Sequence, residues 1–211
     1  MKTFSISLLV FMCSVFLCRA QDERDWERQD SAMNRIRYGF SIGGNYSNLQ
    51  SRHALPDHIS IANKGGFRLG LLAEIPLSEK WMFSPKAETA CNGSSVRIMD
   101  ADKYTVTHKV IPVSLEVMSH FVFMMNNRKR TPYLLAGLGL KIPVINRVET
   151  STDFKTKPCF SFDVGIGINN RSKHVIAAPE MRYSFGLQNI NTNPQLQSLY
   201  FHSVSPVLSF K

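Results

Sequence analysis

The strongest constraint on the fold of this chain is the strict alternation of apolar and polar side chains in residues 159–187. The apolar parity contains Phe160, Phe162, Val164, Ile166 and Ile168, and the other parity contains Ser161, Asp163, Gly165 and Gly167. After a polar turn at residues 169–173, the alternation resumes through residues 175–186. A period of two places successive side chains on opposite faces of a β-strand. The sequence therefore predicts a β-hairpin with one apolar face and one polar face.

The same alternation continues through most of the chain. It predicts eight strands, at residues 37–48, 66–75, 81–88, 105–121, 132–143, 159–168, 175–186 and 199–210. The connections between them alternate between long and short, at residues 49–65, 76–80, 93–104, 125–131, 144–158, 169–173 and 188–198. An even strand number with short turns at one end and longer loops at the other is typical of a transmembrane barrel. The predicted fold class is all-β, an eight-stranded antiparallel up-and-down transmembrane β-barrel with periplasmic termini and extracellular long loops.

The N-terminal segment has the pattern of an export signal. Residues 1–20 contain Lys2, an apolar run at residues 6–17 that is too short to span a bilayer, and small residues before Gln21. We therefore expect a signal peptide at residues 1–20, cleaved after Ala20, followed by a charged periplasmic leader at residues 21–36 and the barrel at residues 37–211. Lipidation at Cys18 is the alternative, but Leu17 stands where a small residue is preferred. The leader is either a simple tether or a peptide that binds a partner.

Composition narrows the class of partner. Loss of Lys2 and Arg19 leaves 23 of the 25 basic residues against 16 acidic ones, so the net charge falls from +9 to +7. A moderately basic exported protein is suited to anionic lipid headgroups, and nucleic acid is not an expected partner outside the cell. After residue 20 the sequence has no run of about 18 apolar residues, so any membrane crossing would be by a closed barrel.

The placement of charges and aromatics favours a membrane barrel over a soluble lipocalin-like barrel. The charged residues on the polar parity are Arg68, Glu74, Lys86, Glu88, Glu116, Asp163, Glu180 and Arg182. Aromatic residues concentrate toward strand ends, as in interfacial girdles: Tyr38, Trp81, Tyr183, Phe185, Tyr200 and Phe210. A bulky apolar stripe on all eight strands is expected to face lipid, which predicts a location in the bacterial outer membrane.

The predicted interior of such a barrel is a closed charge network. Eight strands leave a lumen that side chains can fill, and unpaired buried charges are costly, so we expect the interior acids and bases to pair. The alternative interpretations of these charges are an ion or proton path and a catalytic carboxylate pair.

Motifs for catalysis, cofactors or metals are weak. Gly137–Gly139 and Gly165–Gly167 resemble pieces of a phosphate-binding loop, but they fall mid-strand without a following helix. The six histidines (His53, His58, His108, His120, His174 and His202) have no metal-ligand spacing. His202 and Ser203 are adjacent, so they point to opposite faces of a strand. We therefore expect no catalytic residues, no cofactor and no metal. Cys91 and Cys159 are predicted to be unpaired rather than disulfide-bonded, because their strands are not neighbours.

Four stretches carry a resemblance to a known family. They are PEMRYSFGLQNI at residues 179–190, GFRLGLLAEIPLSEKW at 66–81, VIPVSL at 110–115 and TPYLLAGLGL at 131–140. Together they resemble the PorT-family outer-membrane β-barrel proteins of the Bacteroidetes type, over about residues 37–211. The chain departs from the usual terminal aromatic of such barrels because Lys211 follows Phe210.

The resemblance implies a small integral outer-membrane protein. The founding member of the family belongs to the type IX protein secretion apparatus, so a non-catalytic accessory or assembly component of secretion is the first functional hypothesis. A structural or binding barrel whose loops engage surface ligands or other proteins is the second. A lipid-modifying outer-membrane enzyme is the third and least favoured.

Overall fold

The structure is a computed structural model that describes residues 36–51, 59–99, 105–125, 130–144, 157–172, 175–190 and 198–211. The predicted signal peptide and all but the last residue of the charged leader lie outside these ranges. The described residues form eleven strands: β1 (Arg37–Ser51), β2 (Ile59–Ala62), β3 (Gly65–Pro76), β4 (Trp81–Cys91), β5 (Ser95–Met99), β6 (Thr105–Lys109), β7 (Val113–Met124), β8 (Arg130–Pro143), β9 (Cys159–Arg171), β10 (Ile176–Gly186) and β11 (Leu199–Phe210).

Eight of these strands close into one antiparallel barrel. The order around the wall is β1, β3, β4, β7, β8, β9, β10 and β11, and β11 pairs back onto β1. Each barrel strand thus pairs with the barrel strands before and after it in the chain. The predicted eight-stranded up-and-down barrel is confirmed. Among the described residues, no helix has the length and apolar character needed to span a membrane.

The strand bounds also confirm the predicted alternation of connections. The short connections join β3 to β4, β7 to β8 and β9 to β10, and they lie at the end that also holds the start of β1 and the end of β11. We call this the short-turn end. The four longer connections lie at the opposite end, called here the long-connection end.

One predicted barrel strand is wrong in its first part. Residues 105–121 were expected to form a single strand, but β6 pairs with β5 in a separate sheet of order β2, β5, β6, and the barrel strand begins only at Val113. Between them Ile111 has a positive φ of 48°, which is unfavourable for a β-branched residue, and Pro112 lacks an N–H. His108 therefore belongs to the separate sheet and not to the barrel wall.

A proline in the middle of a strand predicts a bulge or a register break at Pro179, but the pairing of β10 shows neither. Ala177 pairs with Asn170 of β9 and Glu180 pairs with Gly167, so no residue is inserted between them. On the other side of β10, Pro179 pairs with Leu208 of β11 in unbroken register. A proline removes one backbone donor, but it does not by itself change the count of residues in a strand.

Burial follows the two faces of the barrel wall. On β7, for example, Ser114, Glu116, Met118 and His120 are buried, whereas Leu115, Val117 and Phe121 are exposed. The polar parity thus faces the lumen and the apolar parity faces outward.

Candidate functional site

The eight charged residues predicted for the interior all lie buried inside the barrel. They come from five strands: Arg68 and Glu74 from β3, Lys86 and Glu88 from β4, Glu116 from β7, Asp163 from β9, and Glu180 and Arg182 from β10. The least buried of them, Lys86 and Glu180, are only 6% exposed.

The centre of this set is a carboxylate held between two guanidinium groups. Glu88 Oε2 lies 2.9 Å from Arg68 Nη1 and 2.6 Å from Arg182 Nη2. Its other oxygen accepts a hydrogen bond from Ser41 Oγ at 3.2 Å. Charge-assisted hydrogen bonds of this kind stabilise the ionised form of both partners.

From this centre, ion pairs extend in both directions with alternating sign. On one side Arg68 Nη2 lies 3.2 Å from Glu116 Oε2, and Lys141 Nζ lies 3.5 Å from Glu116 Oε1. On the other side Arg182 Nη1 lies 3.7 Å from Glu180 Oε1, which is 2.9 Å from Lys86 Nζ. We call these seven residues the luminal chain: Lys141, Glu116, Arg68, Glu88, Arg182, Glu180 and Lys86. It crosses the lumen between β8 and β4, so each buried charge has a partner of opposite sign.

Three of the interior polar groups were not among the predicted site residues. Lys141 ends the luminal chain, Tyr133 donates to Glu180 Oε2 at 3.0 Å, and His120 Nε2 lies 3.0 Å from Asp163 Oδ2. All three lie on the polar parity of β7 or β8, so continuing the alternation to the strand ends would have found them.

A second group of charges lies at the short-turn end. The Lys211 ammonium donates to Glu74 Oε1, and Arg37 Nε lies 3.7 Å from Glu74 Oε2. Arg37 on β1 and Lys211, which follows β11, lie on the two sides of the seam where the barrel closes, and Glu74 lies on β3, the other neighbour of β1. We call this group the seam cluster. Phe210 faces outward, where its ring stacks on that of Phe40 at 5.1 Å.

The arrangement of Ser161, Asp163 and His120 does not match a nucleophilic triad. Such a triad places histidine between the serine and the carboxylate. Here the carboxylate is in the middle, because Ser161 Oγ donates to Asp163 Oδ1 at 3.1 Å while His120 contacts the other oxygen. All three side chains are at most 1% exposed. Ser203 is buried and accepts from Lys141 Nζ at 3.1 Å, whereas the adjacent His202 is half-buried on the outer wall.

Apolar layers lie at both ends of the lumen. At the short-turn end, the cluster comprises Met82, Val122, Met124, Tyr133, Leu135 and Ala178. At the long-connection end, it comprises Leu49, Ile59, Val96, Val110, Ile111, Cys159, Ile190, Leu199 and Phe201. The second cluster joins strand ends of the barrel to β2 and β5 of the separate sheet. Both layers are buried, so the polar centre is covered from both directions.

Mid-strand glycines make room for this packed interior. A Cβ on Gly167 would collide with the Tyr133 ring, and a Cβ on Gly139 would lie 2.5 Å from Ser161 Oγ. A Cβ on Gly137 or Gly165 would come too close to the backbone of a neighbouring strand. These glycines are therefore packing positions in strands β8 and β9, and no helix follows them in the described residues.

The outer wall is an apolar surface. The exposed large apolar residues on the barrel strands include Tyr38, Phe40, Ile42, Tyr46, Phe67, Leu69, Leu71, Trp81, Leu115, Val117, Phe121, Leu134, Leu138, Phe160, Phe162, Ile166, Met181 and Phe185. Of the six predicted interfacial aromatics, Tyr38, Trp81 and Phe185 are exposed, and Tyr183, Tyr200 and Phe210 are half-buried. Tyr38, Trp81 and Phe210 lie at the short-turn end, while Phe185 and Tyr200 lie at the long-connection end. Tyr183 does not lie at a barrel end, because it pairs with Val164 and Val204 near the middle of their strands.

Within the described residues, no group of three or more histidine, cysteine, aspartate or glutamate side chains is placed to hold a metal ion. Cys91 is half-buried and Cys159 is buried, and both are free thiols.

Comparison with known proteins identifies the fold. Neither a protein-family model nor any curated protein matches the sequence. Neisserial surface protein A (NspA) is similar in structure, with a TM-score of 0.53 and 12% sequence identity over 84% of this chain and 99% of the other. OprG, an outer membrane protein from Pseudomonas aeruginosa, has a TM-score of 0.48 and 13% identity over 83% of this chain and 90% of its own. The described residues have the fold of a small eight-stranded outer-membrane β-barrel.

Proposed function

We propose that this chain is a small integral barrel of the bacterial outer membrane that acts without catalysis, as an accessory or assembly component of a protein complex. The observation that carries the proposal is the inversion of the two faces: the interior holds paired charges and the exterior holds the large apolar side chains. A protein dissolved in water has the opposite arrangement, and it rarely exposes an apolar surface that continues around the whole molecule.

The interior supports a role other than transport. Eight strands leave space only for side chains, and here that space holds the luminal chain between two apolar layers. An ion would have to break several buried pairs to cross such a lumen. The surfaces that remain available for function are therefore the long-connection end, the short-turn end and the outer wall.

The orientation that we propose places the termini in the periplasm and the long connections outside the cell. Its support is the general architecture of outer-membrane barrels, in which periplasmic turns are short and extracellular loops are longer. In this orientation the sheet of β2, β5 and β6 lies on the extracellular side. In intact cells, an added protease should therefore cleave within residues 92–112, between β4 and β7, and not within residues 125–129, between β7 and β8.

Within this class, the specific role that we propose is an accessory function in type IX protein secretion. Its support is the resemblance of residues 66–81, 131–140 and 179–190 to PorT-family strands. In a deletion strain, cargo proteins with C-terminal sorting domains should accumulate in the periplasm, and crosslinking from native membranes should capture secretion components. Normal delivery of such cargo to the surface would refute this role.

A second candidate function is binding of a partner through the long-connection end. The observation that favours it is the separate three-stranded sheet, in which Val96 is buried against the barrel mouth while Ser60, Arg97 and Thr107 are exposed. This sheet gives the extracellular end an ordered surface. Substitution of Arg97 and Thr107 would impair partner capture under this hypothesis, while secretion of cargo would continue.

A further inference from the structure

The outer wall of the barrel has a depression of about 750 Å³ with an apolar lining. Its floor is made of small side chains, Ala136 of β8 and Val164 of β9, and the larger Phe121 and Tyr183 stand on either side. The register places these four in one row, since Phe121 pairs with Ala136, Ala136 with Val164, and Val164 with Tyr183. The middle of this row is therefore recessed, because its two small side chains lie between two aromatic rings.

The depression continues toward the short-turn end. The next outward row on this side contains Phe123, Leu134, Ile166 and Met181, and Trp81 lines the depression beside Phe123, with which it pairs. The indole of Trp81 contacts the Phe123 ring at a centroid distance of 5.0 Å. Tryptophan prefers the boundary between hydrocarbon and headgroups, so Trp81 indicates where the apolar surface ends.

Basic side chains lie exposed at this same end. Lys80 precedes Trp81, and its carbonyl accepts a hydrogen bond from the Met124 amide at 2.8 Å, which fixes it beside the end of β7. Arg130 is the first residue of β8, the strand that carries Ala136. Both side chains are exposed, as is that of Glu79 in the same turn. Two cations and one anion thus leave a net positive charge on the described residues at this edge of the depression.

The dimensions match one leaflet of a bilayer. Six residues of strand separate Arg130 from Ala136, and their rise is roughly 20 Å. A strand tilt of about 40° reduces this to roughly 15 Å along the membrane normal, which is half the thickness of a typical hydrocarbon core. Arg130 and the floor of the depression at Ala136 are therefore separated by about the depth of one leaflet, so a lipid with an acyl chain over Ala136 would have its headgroup at the level of Arg130.

We propose that this depression is a binding site for an anionic phospholipid of the periplasmic leaflet, with one acyl chain over Ala136 and Val164 and the headgroup beside Lys80 and Arg130. The proposal rests on the membrane placement given above. It explains two features together: a recess between Phe121 and Tyr183, and cations where a headgroup phosphate would lie. A second copy of the barrel would use the same apolar floor, but it would have no need of exposed cations at the edge.

Tryptophan quenching by brominated lipids tests the site. The chain has two tryptophans, Trp26 and Trp81, so a Trp26→Phe background leaves Trp81 as the sole reporter. In vesicles, brominated phosphatidylglycerol should quench Trp81 at lower mole fraction than brominated phosphatidylcholine, with a preference of roughly fivefold for each basic side chain. Lys80→Gln with Arg130→Gln should bring this preference close to one. Lys64→Gln, at the long-connection end, is the matched control and should leave it unchanged.

The acyl-chain part of the site is tested by filling the floor. Ala136→Phe should weaken quenching by phosphatidylglycerol, whereas Ala87→Phe, on the outward face of β4 outside the depression, should not. Equal quenching by both lipids in the Trp26→Phe protein, or no effect of Ala136→Phe, would overturn the inference while leaving the membrane placement intact. Crosslinked barrel dimers abolished by Ala136→Phe would assign the depression to a second copy and also overturn it. Quenching by neither lipid would instead refute the membrane placement itself.

Discussion

Neutralising Glu88 should be among the most damaging single changes to the barrel interior. Glu88 is fully buried and lies between Arg68 at 2.9 Å and Arg182 at 2.6 Å. Glu88→Gln keeps the size of the side chain but removes the charge that both guanidinium groups face. Breaking a buried ion pair by removing one partner typically costs about 3–5 kcal/mol, because the remaining charge is left uncompensated.

The structure places the expected cost near the lower limit of that range. Arg68 retains Glu116 at 3.2 Å, and Arg182 retains Glu180 at 3.7 Å, so neither arginine is left without an acid. The amide of the new Gln also remains able to accept from one arginine. We therefore expect Glu88→Gln to lower the free energy of unfolding by about 3 kcal/mol.

Equilibrium urea unfolding from lipid vesicles, followed by tryptophan fluorescence, measures this cost. Exposed Glu79 is the control position, where Glu79→Gln should change stability by less than about 0.5 kcal/mol. A double-mutant cycle with Arg182→Met separates the pair from its surroundings and should give a coupling of about 1–3 kcal/mol. A Glu88→Gln protein as stable as the Glu79→Gln control, or strictly additive losses in the cycle, would refute the reasoning.

Two further substitutions and one labelling experiment test the outer wall, the packing of the interior and the long-connection end of the lumen. Leu138→Arg, on the outward face near the middle of β8, should cost about 2–4 kcal/mol of unfolding free energy in vesicles, whereas Ser60→Arg on the separate sheet should cost less than about 0.5 kcal/mol. Gly167→Ala should lower stability by about 1–3 kcal/mol because its Cβ would displace the Tyr133 ring. Gly44→Ala is the control and should be tolerated, since its Cβ has no neighbour closer than 3.7 Å. The temperature at which each protein changes its mobility in a detergent gel compares the two. Maleimide should label half-buried Cys91 faster than buried Cys159, and equal rates would show that the apolar layer at the long-connection end opens freely.

The sequence was sufficient to predict which side chains face the lumen and which face outward, because the alternation of apolar and polar residues repeats on every strand. A two-residue period assigns each side chain to one face without knowledge of its neighbours. For this reason the alternation alone assigns Glu88, Glu180 and Arg182 to the interior. Their partners were not predictable in the same way: Lys86 and Glu180 are 94 residues apart, and their contact depends on how the stagger between strands accumulates around the closed wall.

The separate sheet escaped prediction for a different reason. β2 has four residues and β5 and β6 have five each, too few to establish a period. In addition, β2 pairs with β5 across an entire barrel hairpin, so no local turn signal links them. The sequence around Val110 and Ile111 continues the apolar alternation into β7, and only the backbone turn at Ile111 shows that the strand is interrupted.

The seam cluster has a consequence for the order of assembly. Lys211 and Glu74 are separated by 137 residues, so their contact closes one of the longest loops in the chain and carries a correspondingly large entropic cost. Neighbouring hairpins can form early, since each needs only a short turn, but β1 cannot pair with β11 until the last strand exists. We therefore expect the Lys211–Glu74 contact to form late, when the two ends of the wall come together. A pair of probes on β1 and β11 would therefore report closure of the barrel separately from the formation of its hairpins.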